Sequence, residues 1–303
     1  MFSDFVHGWW TTVYFVLLRP MLKWLLRKVT GKCELLRVTY EEGDYVERTK
    51  RIEDSLRHSR NAELKACATT VDFIVEQSAK KIASIKSIVP EVHPRFESSF
   101  RDCLQRIKAY NQILADAEEL RKEKFSKSDS RHEAKLVQLW NVYNDVPLPQ
   151  PVGQHWTDLG FQGLDPSTDF RGMGMLGLEQ LIYFALTYPA EARQVLSQSH
   201  HPKYGFSFAI VGINITEMGY TLLYKRRLRS HFYGLEKSDP GLGDFHQVYC
   251  YLLYEFTQFW QSEKPRDIME FSRLREKFRK NVQKALKEPK VRLLPSFQEM
   301  PKH

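Results

Sequence analysis

The sequence is poor in the features that mark a secreted, metal-held or membrane-spanning protein. Four cysteines occur in 303 residues, Cys33, Cys67, Cys103 and Cys250, far apart and without a C-x-x-C. That spacing builds neither a zinc cage nor a disulfide framework, and reads as buried, reduced thiols of a cytosolic chain. Glycine (15) and proline (14) are too few for a collagen-like or low-complexity chain. The apolar, aromatic stretch Phe5 to Leu18 falls short of the roughly 20 residues a spanning helix needs. It carries His7 and Gly8 and stops at Arg19-Pro20. Its basic residues follow the apolar run, the reverse of a cleaved signal peptide. Neither the phosphate loop G-x-x-x-x-G-K-[ST] nor the nucleophile elbow G-x-S-x-G occurs. No stretch alternates apolar and polar residues for long enough to argue for a sheet.

What is present is an ordinary folded composition, 42% hydrophobic and 27% charged, long enough for one large domain or two. The net charge is +8, from 45 basic and 37 acidic side chains, with 13% aromatics. Such a balance suits an acidic partner: nucleic acid, an anionic membrane or an acidic protein. Much of the excess lies at the two ends, in Arg19, Lys23, Arg27, Lys28 and Lys32 and in Lys284, Lys287, Lys290 and Arg292. At the first of these, Trp9, Trp10, Tyr14 and Trp24 mingle with Arg19, Lys23, Arg27 and Lys28, the mixture of a helix lying in a membrane interface. The competing reading is a helix docked on the protein's own core. Nucleic-acid binding would need basic patches interleaved with stacking aromatics, and none is found.

Between the ends the chain reads as helix after helix. Phe96, Phe100, Cys103, Leu104, Ile107, Ile113, Leu114, Ala117 and Leu120 recur mostly at three and four residues, along one helical face. So do Leu136, Leu139, Trp140 and Tyr143, and Phe245, Val248, Tyr249, Leu252, Phe256, Phe259 and Trp260. Breaks fall at 89–94, 126–130, 147–151, 200–205 and 238–243, where Pro, Gly or small polar residues end a periodic stretch. The run Lys225-Arg226-Arg227-Leu228-Arg229 closes an apolar helix, where cations complement the helix dipole; membrane contact is the alternative. His200, His201, His231 and His246 do not pair with carboxylates at metal spacing, so no metal is expected.

One segment breaks the pattern. Six of the 15 glycines lie between Gly153 and Gly177, around WTDLGFQGLDPSTDFRGMGMLG. Glycine at this density signals tight turns or close backbone approach. Asp165-Pro166-Ser167-Thr168-Asp169 reads as a turn, with Thr168 or Asp169 placed to cap a helix beginning near Gly172. Gly172-Met173-Gly174-Met175-Leu176-Gly177 spells G-x-G-x-x-G, but a turn precedes it where the dinucleotide fingerprint requires a strand. Arg171 stands between Phe170 and these glycines, whose small size would let a partner surface approach its guanidinium. The alternative is a structural arginine paired with Asp169 or Asp165. Gln162 could orient that arginine or satisfy turn amides, Asp169 is a cap or supporting partner, and Trp156, Phe161 and Phe170 are core anchors.

Trp156, Gly160-Phe161-Gln162, Pro166, Thr168-Asp169-Phe170-Arg171-Gly172 and Gly174, at these spacings, resemble the signature of the ELMO domain at every fixed position. Residues 21–28 with 30–35, Phe208 to Asn214, Phe245-His246-Gln247 and Ile268 to Phe271 look similar too. The resemblance runs from about residue 20 to 283 and is to the short ELMO-domain-containing (ELMOD-type) proteins rather than the long engulfment-and-motility scaffolds. It implies an all-α fold, a single compact multi-helix domain preceded by the apolar and aromatic N-terminal helix. The chain then divides into a membrane-associating helix with basic flank over 1–32, an N-terminal helical part over 33–130, a signature-bearing part over 131–283 and a basic tail over 284–303. The resemblance further implies GTPase-activating activity toward Arf and Arf-like small GTPases, with Arg171 as the catalytic arginine supplied in trans. GTP and Mg2+ would reside on the partner; no cofactor of its own, small-molecule substrate or nucleic acid is expected. The place implied is the cytosolic face of an intracellular membrane. A non-catalytic GTPase-binding scaffold or effector is the alternative.

Overall fold

Capping residues mark where the amphipathic stretches become helices. The computed structural model describes residues 18–297. Asp44, Asn61 and Asp129 each accept a hydrogen bond from a backbone N–H of the first turn they precede, satisfying donors a helix start leaves open. Pro20, Pro94 and Pro189 stand at helix beginnings, where the missing N–H costs nothing. The helices are α1 (Arg19–Thr30), α2 (Glu34–Tyr40), α3 (Tyr45–Arg57), α4 (Ala62–Thr69), α5 (Val75–Ile85), α6 (Pro94–Lys122), α7 (Ser130–Tyr143), α8 (Gly174–Thr187), α9 (Pro189–Ser199), α10 (Phe208–Tyr224), α11 (Arg229–Tyr233), α12 (Leu242–Glu263) and α13 (Phe271–Ala285). Short 3-10 turns at Gln154–Leu159, Pro166–Arg171 and Ile268–Glu270 complete the set. No strand occurs among the described residues, as an all-α reading requires.

These elements form two compact units, residues 1–112 with 232–239, and residues 113–231 with 240–303. In the first, Val46, Ile52 and Leu56 of α3 are buried, as are Phe100, Leu104, Ile107 and Tyr110 of α6. The segment 232–239 is tied in by Arg106, whose guanidinium donates to the carbonyls of Tyr233, Leu235 and Lys237. The buried Glu53 accepts from Arg57 at 3.1 Å and from the Tyr233 hydroxyl at 2.8 Å, which compensates its removal from water.

The second unit is built around helices with little polar surface. Helices α8, α10 and α12 pack on one another, with α7 and α9 against α8. Nearly every residue of α8 from Gly174 to Ala185 is buried, the pattern of a helix enclosed on all sides. Phe184, Ile215, Leu222, Phe245, Leu252, Phe256 and Trp260 fill the space between. The basic tail is not all surface. Leu286 and Leu293 are buried, Leu293 N–H donates to His231 Nδ1 at 3.0 Å, and Phe297 lies edge-on to Tyr188 and Tyr254.

Candidate functional site

The glycine-rich segment in the second unit folds as two 3-10 turns in series, held by hydrogen bonds within and between them. The first turn ends at Gly160, whose φ of +75° only glycine adopts cheaply. A side chain there would also strike the backbone, 2.2 Å from the Phe208 nitrogen. Gly153 N–H bonds the Leu164 carbonyl at 2.8 Å and closes the loop. Asp165 caps the second turn, accepting from the Ser167 N–H and hydroxyl, and pairs with Lys127 at 2.5 Å. Partial burial works against that carboxylate, but Lys127 and Ser167 outweigh it and hold its pKa below the usual range. Asp169 reaches across and accepts from the Gln162 N–H at 2.9 Å, stapling the turns together.

Beneath lies a chain of rings. Trp140 meets Trp156, Trp156 meets Phe161, and Phe161 meets Phe170, with centroids 5.5, 5.5 and 5.7 Å apart and near-perpendicular planes, the favoured edge-to-face arrangement. Trp156, Phe161 and Phe170 are buried, as core anchors should be, and the Trp156 indole donates to the Pro151 carbonyl. On this base the turn ends in Arg171, which is exposed. Its Nε donates to the Thr168 carbonyl at 2.7 Å, and the Thr168 hydroxyl is bound in turn to the Asp165 carbonyl. Among the described residues Arg171 forms no ion pair. Asp165 and Asp169, the carboxylates that could have neutralised it, are committed to Lys127 and to the Gln162 amide. The two terminal guanidinium nitrogens are therefore left to solvent or to a partner.

The glycines after it divide by need. Gly174 has φ +51°, and a side chain there would lie 2.4 Å from the Arg121 carbonyl and 2.5 Å from that of Glu123. The N-terminus of α8 is thus butted against the carbonyl end of α6, and Met175 N–H donates to Glu123 at 2.9 Å. This contact joins opposite dipole ends and takes the place of a side-chain cap. Helix α8 begins at Gly174, and neither Thr168 nor Asp169 caps it. Those side chains are spent within the preceding turn, so the cap expected near Gly172 is not made. Gly172 is different. Its φ of −84° suits any residue, and nothing lies within 4 Å of where a side chain would start. The fold does not require glycine there. The G-x-G-x-x-G string follows a 3-10 turn, not a strand, and has no place in a dinucleotide fold.

Sequence periodicity did not identify the brace under Gly174. Arg121 binds Glu118 through two bonds of 2.6 and 2.8 Å and stacks over Tyr220, whose hydroxyl donates to the same carboxylate. The Arg121 bonds draw the Glu118 pKa down to about 2. Only the Glu118–Arg121 spacing, three apart on a helix, was visible in the sequence. Tyr220 lies 102 residues away.

Of the residues expected at a membrane, Trp9 and Trp10 lie outside the described residues. Arg19 opens α1, and Lys23, Trp24, Arg27 and Lys28 follow on it, in the first unit. Met21, Leu22, Trp24, Leu25, Leu26 and Val29 are all exposed. Lys28 sits 5.0 Å over the Trp24 ring. No described helix is long and apolar enough to cross a membrane.

Comparison with known proteins covers the same ground. Residues 115–275 match the ELMO/CED-12 family. ELMO domain-containing protein 1 of Bos taurus is 42% identical over 294 residues, spanning 91% of this chain and 90% of its own. ELMO domain-containing protein 2 of Homo sapiens is 43% identical over 285 residues, or 94% and 97%. ELMO domain-containing protein B of Dictyostelium discoideum is 32% identical over 273 residues, or 88% and 94%. Identity at this level along nearly the whole length, with the signature folded into two braced turns, leaves one conclusion: the chain belongs to the ELMO/CED-12 family.

Proposed function

We propose that this protein accelerates GTP hydrolysis by small GTPases of the Arf and Arf-like group, delivering Arg171 into the partner's nucleotide site. The observation that carries the reading is an exposed arginine on an immobilised turn, its Nε tethered and its other two nitrogens without a carboxylate. Hydrolysis builds charge on the phosphate oxygens, and a guanidinium supplied in trans stabilises it, worth about 10³–10⁵ in rate. Arginine suits this because it stays protonated and its fork spans two oxygens. The Thr168 carbonyl aims the fork, and the bare flank at Gly172 lets the partner's backbone close on it. Neither GTP nor Mg2+ needs a site on this chain. The test is Arg171→Lys in single-turnover hydrolysis across a panel of Arf-family proteins: stimulation should vanish while GTPase binding and thermal stability remain. A wild-type protein that binds GTP-loaded partners without accelerating them would instead be a scaffold.

The same chain is proposed to work at the cytosolic surface of a membrane through α1, whose apolar side is exposed along its length beside Arg27 and Lys28. A helix of this kind lies in the interface plane with its apolar side among the acyl chains. Such placement would hold the arginine where membrane-borne GTPases are found.

A further inference from the structure

Helix α1 presents to solvent the apolar side that an ordinary surface helix buries. At 100° per residue, Met21, Leu22, Leu25 and Val29 share one side, and that side is exposed. Lys23 and Arg27, one turn apart on the opposite side, line an open cleft of about 150 Å³ within the first unit, together with Glu34, Ser59 and Lys86. The cleft holds three cations against one carboxylate. Glu34 is already taken by Lys23 and by the Ser55 hydroxyl. Arg27 and Lys86 form no ion pair among the described residues. Two uncommitted cations, one carrying a planar fork, and a nearby serine hydroxyl make a site for a compact anion with several oxygens.

Resting on the membrane reading above, we propose that this cleft receives the phosphomonoester of a phosphorylated inositol lipid while the apolar side of α1 lies in the bilayer. The geometry selects this class of headgroup. With α1 lying on its apolar side, the cleft stands away from the acyl chains by about one helix diameter, roughly 10 Å. A phosphate at the glycerol level stays beside the apolar side. A phosphate carried on a ring projects outward to the level of Arg27 and Lys86. It also brings close to two negative charges, which answer the two unpaired cations. Phosphatidylserine brings its charge at the lower level and no phosphomonoester.

Vesicle flotation with the full chain tests this. The vesicles are phosphatidylcholine alone, phosphatidylcholine with phosphatidylserine, and phosphatidylcholine with phosphatidylinositol 4-phosphate at matched total charge. The wild type should favour the third by about thirtyfold over the second, the scale of two cation contacts at an anionic surface. Arg27→Gln with Lys86→Gln should erase that preference, bringing binding to the third vesicle down to that of the second, with an unchanged circular dichroism melt. Leu25→Ser with Val29→Ser should lower binding to every vesicle. Equal binding of the wild type to both charged vesicles overturns the cleft and leaves the membrane reading standing. No binding to any vesicle overturns both. Binding of soluble inositol 1,4-bisphosphate as tightly as the vesicle-borne headgroup overturns the lipid as ligand in favour of a free phosphate.

Discussion

The arginine turn and helix α1 present cations in opposite ways. At the turn, apolar groups are spent inward: Trp156, Phe161 and Phe170 are buried so that one guanidinium stands exposed on a fixed base. At α1 the apolar groups face solvent, and the cations Lys23 and Arg27 line a cleft on the other side. The first arrangement suits a task measured in fractions of an ångström, because every hydrogen bond and ring contact restricts where Arg171 can go. The second suits a fluid surface, where area and charge matter more than position. Mutations should therefore separate the two, and their effects should differ in kind as well as in size.

The largest effect expected is on the buried base. Trp156→Ala removes the central ring of the stack and its indole bond to Pro151, and should lower the unfolding free energy by about 3–5 kcal/mol in urea. Gly174→Ala comes next: positive φ and a side chain pressed against backbone carbonyls should cost about 2 kcal/mol or more. Gly172→Ala is its control. Open space and ordinary φ leave stability within about 0.5 kcal/mol of wild type, while GTPase stimulation should fall about tenfold because the new methyl stands in the partner's approach. If Gly172→Ala retained full stimulation, close approach at that flank would be wrong.

Acid should strain the unit that carries the turn. His231 and His246 are buried, and burial, helped at His231 by Arg292, lowers their pKa values to about 3 and about 4. Both lie below the ordinary value of about 6.5, so the unfolded chain binds their protons first. Their contribution is intact above about pH 6.5 and is lost as pH falls toward 4, with a slope of at most about 1.4 kcal/mol per pH unit for each. Glu118, held at about 2, adds in the same direction below its ordinary range. Melting temperatures should hold from pH 7.5 to about 6.5 and then fall down to pH 4.5, and His246→Gln should flatten the fall. The smallest stability effect belongs to α1: Leu25→Ser should move the melting temperature hardly at all, since that side chain is half exposed, yet weaken vesicle binding.

The two regions were also legible in different degrees. The all-helical fold could be read from three- and four-residue spacing: the breaks at 147–151 and 200–205 fall between helices, those at 89–94 and 126–130 end on the first residue of a helix, and 238–243 runs two residues into α12. The turn was legible because glycines, Asp165-Pro166 and Arg171 crowd into a short stretch that no amphipathic helix would tolerate. Its internal structure was not. Two 3-10 turns replaced a single turn and cap, because Met175 found its acceptor on Glu123, 52 positions away in sequence. The Tyr220 hydroxyl on Glu118 and the Leu293 amide on His231 are equally remote pairings that local periodicity cannot encode. The basic stretch of α1 was visible as composition. That its cations line a cleft while its apolar side faces solvent depends on α2, α3, α4 and Lys86 just beyond α5, and no pattern within residues 19–30 reports it.

The most direct test of the central claim is single-turnover GTP hydrolysis by a responsive Arf-family protein, with wild type and Arg171→Lys compared at equal occupancy. The lysine variant should lose about a thousandfold of the stimulation while melting close to the wild-type temperature, since the substitution removes one exposed hydrogen bond to the Thr168 carbonyl and no ion pair among the described residues. Stimulation kept within a few-fold of wild type would contradict it.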